Sequence, residues 1–231
     1  MSSTYTTDSL IVYASAEWNK STLPAELFAG QRVPEHTWAQ YQVLSGSLKI
    51  RELSAQNDII AEHELCAEQP SVQLAPDSEY QLAQASDDVR VQLDYYTTAA
   101  HYIRLRYGLT ATHSEVIRAV EQHHVAPCKT LDMGAGQGRN ALYLALQGFD
   151  VTAVDTNPNG LANIAQIAAE EQIPAHTELY DLNQAALQHD YGFIVSTVTF
   201  MFLERDRVPA IIADMQAHTQ SGGYNLIVSA M

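Results

Sequence analysis

The sequence of 231 residues has few cysteines, little positive charge and no long apolar run. Its two cysteines, Cys66 and Cys128, lie far apart without CxxC spacing, which argues against a disulfide framework and favours reduced thiols in a cytoplasm. The longest apolar runs have six residues, Ala141–Leu146 and Val198–Leu203 (counting one threonine), whereas a membrane-spanning helix needs about 20. These runs are too short to predict a membrane span. Residues 1–20 lack a basic segment followed by an apolar one, so no secretory signal is predicted.

Acidic residues outnumber basic ones throughout the chain. Twelve lysines and arginines against 27 aspartates and glutamates give a net charge of −15. Because such a chain repels phosphate backbones and anionic lipids, we expect no nucleic acid and no membrane surface among its partners. A hydrophobic fraction of 46% with 17% charged residues is typical of a globular protein, and the length allows one large domain or two modest ones.

The first 96 residues contain short apolar segments with a period near two, which predicts half-buried strands. These segments are Leu10–Tyr13, Trp38–Leu44, Leu48–Leu53, Ile59–Leu65, Val72–Leu74 and Val89–Tyr95. The turn residues at 45–47 (Ser-Gly-Ser) and 56–58 (Gln-Asn-Asp) stand between consecutive segments and predict two hairpins. Closely spaced antiparallel strands of this kind favour a small all-β sandwich or barrel over residues 1–96.

From residue 97 onward, strands and helices alternate, which predicts a parallel sheet covered by helices, an α/β fold. Thr112 and Glu115 have the spacing of a capping box for a helix over 113–123, and Asn157 followed by Pro158 predicts the start of a later helix. The predicted strands are Thr130–Met133, Val151–Val154, His176–Tyr180, Tyr191–Thr197 and Tyr224–Ala230, and two further helices are Arg139–Gln147 and Asp206–Thr219.

A glycine loop separates the first predicted strand of this sheet from the following helix. Gly134, Gly136 and Gly138 have G-x-G-x-G spacing, with Asp132 two residues before the first glycine. The dinucleotide fingerprint needs a glycine at the sixth position, which here is Arg139, so an NAD-dependent oxidoreductase is disfavoured. The observed form is typical of S-adenosylmethionine-dependent methyltransferases, in which a ligand lies against glycine backbone at a helix N-terminus.

Polar side chains follow three neighbouring strands of the predicted sheet. Asp155 ends the second strand and could accept both ribose hydroxyls of a nucleoside, Asp181 follows the third strand and could accept an adenine amino group, and Thr197 ends the fourth. Because the carboxyl ends of parallel strands meet at one edge, these residues are expected in one crevice. An aspartate after a strand can also serve only as a helix cap or turn former, and this alternative stays open.

Several segments of the second part resemble the tellurite-resistance methyltransferase TehB family. The segments are Thr112–Val116, the glycine loop with Arg139 and Asn140, Ser196–Val198 with Phe200–Leu203, and Gly222–Val228. The resemblance covers about residues 100–231. The first part of the chain resembles the small cupin-like β-barrel that some members carry, through Leu23-Pro24, Trp38 and Val43–Leu48. The resemblance implies a Rossmann-like methyltransferase domain over 97–231 after a cupin-like domain, and a cytoplasmic enzyme that methylates small chalcogen oxyanions such as tellurite.

The resemblance also implies a set of contacts to the cofactor S-adenosylmethionine. Together with Asp132 and Gly136 of the glycine motif, these are Tyr102, Tyr107, His113, Gly134, Arg139, Asp155, Asn157, Asp181, Leu182 and Thr197. Arg139 would bind the carboxylate of the methionyl part and Asp155 the ribose. His113 could instead be a first-turn helix residue, and Arg139 a charge on an exposed helix surface. No residue is assigned a catalytic role.

The sequence departs from the family pattern at two places. Gln31 and Gln81 stand where cupin relatives can carry histidines, so no metal site is predicted. The family's sheet has seven strands, whereas this chain ends at Met231 directly after the fifth, without the His and Arg residues that members place over the acceptor. The local cations that remain are Arg139, Arg205 and Arg207.

Two hypotheses about function therefore stay open. In the first, the chain is a methyltransferase for a small-molecule oxyanion; in the second, it is a non-catalytic module that binds or senses S-adenosylmethionine. It also stays open whether the chain is a fragment or a naturally short form. An exposed fifth strand invites pairing with another copy, so a homo-oligomer is among the expected states.

Overall fold

The structure is a computed structural model that describes residues 10–229. The described residues form two compact units, the first ending at Tyr102 and the second beginning at Ile103. None of the helices in this part of the chain is long and apolar enough to cross a bilayer.

The first unit contains two four-stranded antiparallel sheets. Its strands are β1 (Ile11–Asn19), β2 (Gln31–Arg32), β3 (Trp38–Ser45), β4 (Leu48–Leu53), β5 (Ile59–Leu65), β6 (Ser71–Leu74), β7 (Glu79–Ala85) and β8 (Arg90–Thr97). One sheet has the order β1-β8-β3-β6 and the other β2-β7-β4-β5, and their apolar side chains form one shared core. Helix α1 (Ala99–Tyr107), which the sequence pattern did not predict, follows β8.

The two predicted hairpin turns have different outcomes. The turn at 56–58 joins β4 to β5, which pair antiparallel, so this prediction is confirmed. The turn at 45–47 joins β3 to β4, which belong to different sheets, so the predicted hairpin there is wrong. The turn binds the segment before β8, because the Ser47 N–H donates to Ser86 Oγ (2.8 Å) and the Ser86 N–H donates to the Ser47 carbonyl (3.0 Å). A Cβ atom on Gly46 would lie only 2.4 Å from Ser86 Oγ.

Tyrosines occupy the interior of the first unit beside its aliphatic core. The Tyr41 and Tyr80 hydroxyls are hydrogen-bonded at 3.0 Å, and both side chains are buried. Burial raises the pKa of both hydroxyls, which therefore stay neutral. Among residues 10–229, no three His, Cys, Asp or Glu side chains come together as a metal site.

The second unit contains one five-stranded sheet with helices. Its elements are α2 (Ser114–Glu121), β9 (Lys129–Met133), α3 (Arg139–Leu146), β10 (Asp150–Asp155), α4 (Pro158–Glu171), β11 (Ala175–Leu179), β12 (Tyr191–Thr197), α5 (Val208–Ala217) and β13 (Thr219–Val228). The strand order is β11-β10-β9-β12-β13 and every neighbouring pair is parallel. The predicted Rossmann-like sheet, preceded by an all-β part, is therefore confirmed.

The strand order reverses between β9 and β12. The chain goes from β9 outward through β10 to β11, and then returns to β12 on the other side of β9. At such a reversal the connections leave in opposite directions, which opens a crevice beyond the carboxyl ends of the two central strands. Both strands are almost fully buried, as expected for a parallel sheet covered on both faces.

The helix caps agree with one prediction and correct another. Asn157 caps α4, with its Oδ1 accepting the N–H groups of Asn159 (3.1 Å) and Gly160 (3.4 Å), as predicted. The predicted capping box at Thr112 is wrong, because His113 is the cap of α2 and its Nδ1 accepts the Glu115 N–H at 3.2 Å. The Thr112 hydroxyl instead donates to the backbone carbonyl that begins α3.

The last strand begins earlier than the predicted start at Tyr224. β13 extends from Thr219, so that Gly222 and Gly223 lie inside the strand, where its register with β12 shifts. A Cβ atom on Gly223 would lie 2.6 Å from the Gly192 carbonyl oxygen, which explains how a glycine pair can belong to a strand here. The predicted last residue, Ala230, lies outside the described residues.

Candidate functional site

A cavity of about 410 Å³ lies at the carboxyl ends of β9, β10 and β12. Six of the predicted site residues line it: Gly134, Gly136, Asp155, Asp181, Leu182 and Thr197. The remaining lining residues are Thr156, Tyr180, Asn183, Val198, Thr199, Phe202 and Leu203. The cavity is therefore at the predicted edge of the sheet, at the reversal of strand order.

The glycine bend forms the floor of the cavity next to β9. Gly134 has φ +78° and is packed so tightly that a Cβ atom would lie 2.3 Å from Thr199 Oγ1. Gly136 has φ +58° and faces open space, with no atom within 4 Å of an added Cβ. One glycine thus closes the bend against the neighbouring loop, and the other leaves room for a ligand to lie against backbone.

Asp155 at the end of β10 holds this bend in place. Its Oδ2 accepts the Gly136 N–H at 2.8 Å and its Oδ1 accepts the Asn157 N–H at 2.8 Å. Each carboxylate oxygen has a second lone pair, so the side chain can still accept two hydroxyl groups. Asp155 is therefore a turn former and, because it lines the cavity, also a candidate ligand for a ribose.

Asp132 lies in the middle of the sheet and is only 1% exposed. Neither of its carboxylate oxygens has a hydrogen-bond partner among the described residues. Burial raises its pKa to about 7, and this effect exceeds the lowering by the backbone N–H of Ala141 and by the Arg139 guanidinium. A buried carboxylate without a donor is rare and suits a ligand that brings a cationic N–H group.

The end of β12 is connected to the first turn of α3 through side chains. Thr197 Oγ1 receives the Asn140 side-chain N–H at 2.9 Å and has a longer contact of 3.5 Å with Arg139 Nη2. Asn140 is 4% exposed and was not among the predicted site residues. The sequence does contain a signal for it, because Asn140 is an amide at the start of an otherwise apolar helix. A buried amide needs a hydrogen-bond partner, so such a residue is a candidate for a specific contact.

Asp181 and Asn183 form the wall of the cavity that follows β11. Asp181 caps the short 3-10 helix Leu182–Gln184 by accepting the Asn183 N–H at 3.0 Å. Asn183 Oδ1 accepts the Glu204 N–H at 3.0 Å, and Arg207 donates to the carbonyls of Asn183 (2.9 Å) and Gln184 (3.3 Å). The guanidinium of Arg207 thus holds the backbone of this wall in place through these two hydrogen bonds.

Six predicted contacts do not line the cavity: Asp132, Arg139 and four residues that lie elsewhere in the fold. His113 caps α2, and its pKa is lowered by burial and by the Arg139 guanidinium. Asn157 caps α4, and the Tyr107 hydroxyl donates to the Glu171 carboxylate. Tyr102 belongs to the first unit.

The residues that follow β12 also line the cavity, although the sequence did not predict them as site residues. Val198 has φ +59°, a conformation that is strained for a β-branched residue, and its N–H donates to the Val228 carbonyl at 2.7 Å. Phe202 lines the same cavity although its side chain is 78% exposed. The rim beside Thr197 is therefore apolar.

Comparison with known proteins gives matches over both parts of the chain. The profile of the family described as tellurite resistance protein TehB matches residues 95–231, and that of the TehB-like domain matches residues 14–93. A curated relative from Eikenella corrodens, named hemagglutinin 1, is 47% identical over 188 residues, which are 81% of this chain and 62% of the relative.

Two matches from Haemophilus influenzae cover most of the chain. The protein named probable S-adenosyl-L-methionine-dependent methyltransferase TehB is 43% identical over 214 residues, 93% of this chain and 74% of the relative. The crystal structure of TehB from Haemophilus influenzae superposes with a TM-score of 0.93 at 42% identity, covering 97% of this chain and 78% of that one. The chain therefore belongs to the TehB family of S-adenosyl-L-methionine-dependent methyltransferases.

Proposed function

We propose that this chain binds S-adenosylmethionine in the cavity at the ends of β9, β10 and β12 and transfers its methyl group to a small chalcogen oxyanion such as tellurite. Family membership supports the methyl-transfer part. The observation that carries the assignment to this cavity is Asp155, which lines the cavity, accepts the Gly136 N–H of the glycine bend and has further lone pairs that can accept hydrogen bonds. The choice of tellurite rests on the family description alone.

The residues around the cavity fit the parts of this cofactor by their chemistry. Asp155 would accept the ribose hydroxyls, and Asp181 with Leu182 would flank the adenine. The unpartnered carboxylate of Asp132 suits the ammonium of the methionyl part, and Arg139 suits its carboxylate. When bound, the cofactor supplies an electrophilic methyl group on a sulfonium.

The contribution of the protein to such a transfer is alignment. Displacement at the methyl carbon requires the nucleophile, carbon and sulfur to lie in line, and the two sides of the cavity restrict how both reactants approach. A lone pair on tellurium forms the new bond to carbon, and the carbon–sulfur bond breaks to leave a neutral thioether. Because the nucleophile carries no proton to remove, no general base is required.

A second candidate is a non-catalytic module that binds or senses S-adenosylmethionine. The observation that favours it is the charge of the cavity: its described lining contains the carboxylates of Asp155 and Asp181 and no lysine, arginine or histidine. An oxyanion is disfavoured beside two carboxylates unless a cation compensates for them. Among the described residues, Arg139 contacts the lining through Thr197 (3.5 Å) and Arg207 through the Asn183 carbonyl (2.9 Å), but neither side chain lines the cavity itself.

Binding and turnover together decide between these functions. Calorimetric titration with S-adenosylhomocysteine and with NAD tests the cofactor, and a radiolabelled methyl-transfer assay with tellurite and selenite tests the acceptor. Saturable S-adenosylhomocysteine binding with label transferred to tellurite supports the enzyme. Binding without transfer to either oxyanion supports the module, and saturable binding of NAD alone contradicts both.

A cytoplasmic location without nucleic-acid or membrane partners is part of the same proposal. Cys66 and Cys128 are both free thiols, which suits a reducing compartment, and the net charge of −15 disfavours anionic partners. A homo-oligomer is proposed because β13 is an edge strand of its sheet within the described residues. Cell fractionation and light scattering test these two points.

A further inference from the structure

We propose that Asn140 is a positioning residue that fixes the Thr197 hydroxyl as a hydrogen-bond donor into the cavity, where it binds an anionic oxygen of the ligand. This inference rests on the proposed function, because it assumes that the cavity takes up S-adenosylmethionine and an oxyanion. In the hydrogen bond between Asn140 and Thr197, the amide is the donor and the hydroxyl is the acceptor. This direction follows from the other partner of the Asn140 amide.

The orientation of the Asn140 amide is determined by a backbone group. The His113 N–H lies 3.0 Å from Asn140 Oδ1. A backbone N–H can only donate, so the oxygen of the amide must face His113 and its NH₂ group must face Thr197. The distance from Asn140 Nδ2 to Thr197 Oγ1 is 2.9 Å, and the amide is buried, so this bond is protected from water.

The Thr197 hydroxyl therefore acts as an acceptor toward the protein. A hydroxyl has one proton and two lone pairs. Asn140 Nδ2 occupies one lone pair, and Arg139 Nη2, at 3.5 Å, approaches as a second donor. No acceptor among residues 10–229 takes the Thr197 hydroxyl proton, and Thr197 lines the cavity. The proton is thus available to an acceptor in the cavity.

The ligand group that fits this donor is an anionic oxygen. A hydroxyl that donates, with the Arg139 guanidinium beside it, forms a charge-assisted hydrogen bond with an oxyanion. Two ligands in the proposed reaction carry one: the carboxylate of the cofactor's amino-acid part and the oxyanion that accepts the methyl group. Both would use the same donor, so the experiment must distinguish them.

The surrounding contacts hold Asn140 in register with the end of β12. The Thr112 hydroxyl donates to the Arg139 carbonyl at 3.1 Å, next to the bond between His113 and Asn140. The segment before α2 is thereby attached at two points to the first turn of α3. A shift of Asn140 that would release Thr197 must break these bonds as well.

The test compares two ligands that differ only in the amino-acid part. S-Adenosylhomocysteine carries the carboxylate, whereas 5′-methylthioadenosine keeps the adenosine and the thioether but lacks it. Thr197→Val and Asn140→Ala should each weaken S-adenosylhomocysteine binding about tenfold, the lower range for a charge-assisted hydrogen bond, and change 5′-methylthioadenosine binding less than twofold. Thr197→Ser, which keeps the hydroxyl, should bind both ligands as the parent chain does.

A double variant separates positioning from an independent contribution. If Asn140 acts through the hydroxyl, Asn140→Ala combined with Thr197→Val should bind S-adenosylhomocysteine no more weakly than Thr197→Val alone. Retained 5′-methylthioadenosine binding shows that each variant is folded. If the single variants leave S-adenosylhomocysteine binding unchanged but raise the KM for tellurite about tenfold without changing kcat, the donor serves the acceptor oxyanion.

Other outcomes overturn the proposal. Equal losses for both nucleoside ligands indicate a structural role for Asn140, and an additive double variant indicates two independent residues. If the single variants bind both nucleoside ligands as the parent chain does and have an unchanged KM for tellurite, the Thr197 hydroxyl donates to neither ligand. If the parent chain binds neither nucleoside, the proposed function fails first and the inference falls with it, which distinguishes the two failures.

Discussion

The Gly136 N–H donates to the Asp155 carboxylate over 2.8 Å, so the end of β10 and the glycine bend after β9 are joined by a hydrogen bond. The other oxygen of the same carboxylate is bonded to the Asn157 N–H at the start of α4. One side chain therefore organises both loops of the cavity before any ligand arrives. Preorganisation of this kind reduces the entropy lost when a ligand binds.

The two glycines of the bend predict different effects of the same substitution. Gly134→Ala should destabilise the protein by about 2–4 kcal/mol, because the new methyl group collides with Thr199 at an unfavourable φ. Gly136→Ala should cost only about 1–2 kcal/mol, the strain of positive φ without a collision. It should nevertheless weaken S-adenosylhomocysteine binding at least tenfold, since its methyl group occupies the open space beside the bend. Urea unfolding and calorimetry measure the pair, and equal stability losses would contradict this reading.

Asp132 predicts a pH dependence of stability. Its pKa is raised to about 7 in the folded protein, above the value of about 3.9 in an unfolded chain, so the folded state binds the proton more tightly. Stability should therefore fall as pH rises from about 4 to 7, by about 1.4 kcal/mol for each pH unit between the two pKa values, and should level off above about pH 8.

Asp132→Asn is the matched control for this pH dependence. The amide has no carboxyl proton to lose, so the variant should gain stability relative to the parent chain between pH 5 and 8. Urea unfolding at pH 5, 6.5 and 8 measures the difference between the two proteins. A difference that stays constant over this range shows that Asp132 does not titrate there.

Arg207 predicts a loss that affects all nucleoside ligands alike. Arg207→Ala removes the donors to the Asn183 and Gln184 carbonyls and should loosen the wall formed by residues 181–183. We expect S-adenosylhomocysteine and 5′-methylthioadenosine to bind about three- to tenfold more weakly, in equal proportion, as for one or two lost hydrogen bonds. The exposed Arg205 provides the control, and Arg205→Ala should bind both ligands unchanged. A selective loss of one ligand would exclude a purely supporting role for Arg207.

The tyrosine pair of the first unit predicts a loss of stability. Tyr41→Phe removes one partner of a buried hydrogen bond and leaves the Tyr80 hydroxyl without it, which should cost about 1–2 kcal/mol. Removing both hydroxyls should cost less than the sum of the single variants, because both single variants lose the same hydrogen bond between Tyr41 and Tyr80. Tyr224, which is 56% exposed, gives a control whose change to Phe should be within about 0.5 kcal/mol. Urea unfolding that shows additive losses would contradict the coupling.

Elements with a local sequence signal could be predicted from the sequence. β12 has the predicted bounds, Tyr191–Thr197, because a buried parallel strand gives a continuous apolar run between turn residues. Asn157 is the cap of α4 because its side chain bonds only to the two residues that follow. The parallel direction of the strands, and with it the edge at which Asp155 and Asp181 meet, follows from the alternation of strands and helices.

Features that depend on distant partners could not be predicted. The turn at 45–47 has hairpin composition, but its pairing is decided by Ser86, which is remote in sequence. His113 replaces Thr112 as a cap because the Thr112 hydroxyl is bonded to the first residue of α3. Asn140 belongs to the motif that follows the glycine loop, but nothing local in the sequence shows that its amide contacts Thr197.

Replacement of Asp155 tests the central claim most directly. Calorimetric titration of Asp155→Ala with S-adenosylhomocysteine should show affinity reduced by at least about 100-fold, because the ribose loses its carboxylate and the Gly136 N–H loses its partner. Circular dichroism should show the parent fold, since Asp155 is the last residue of β10 and is not part of the buried core. If the folded variant binds S-adenosylhomocysteine with the affinity of the parent chain, this cavity does not hold the cofactor in the manner proposed.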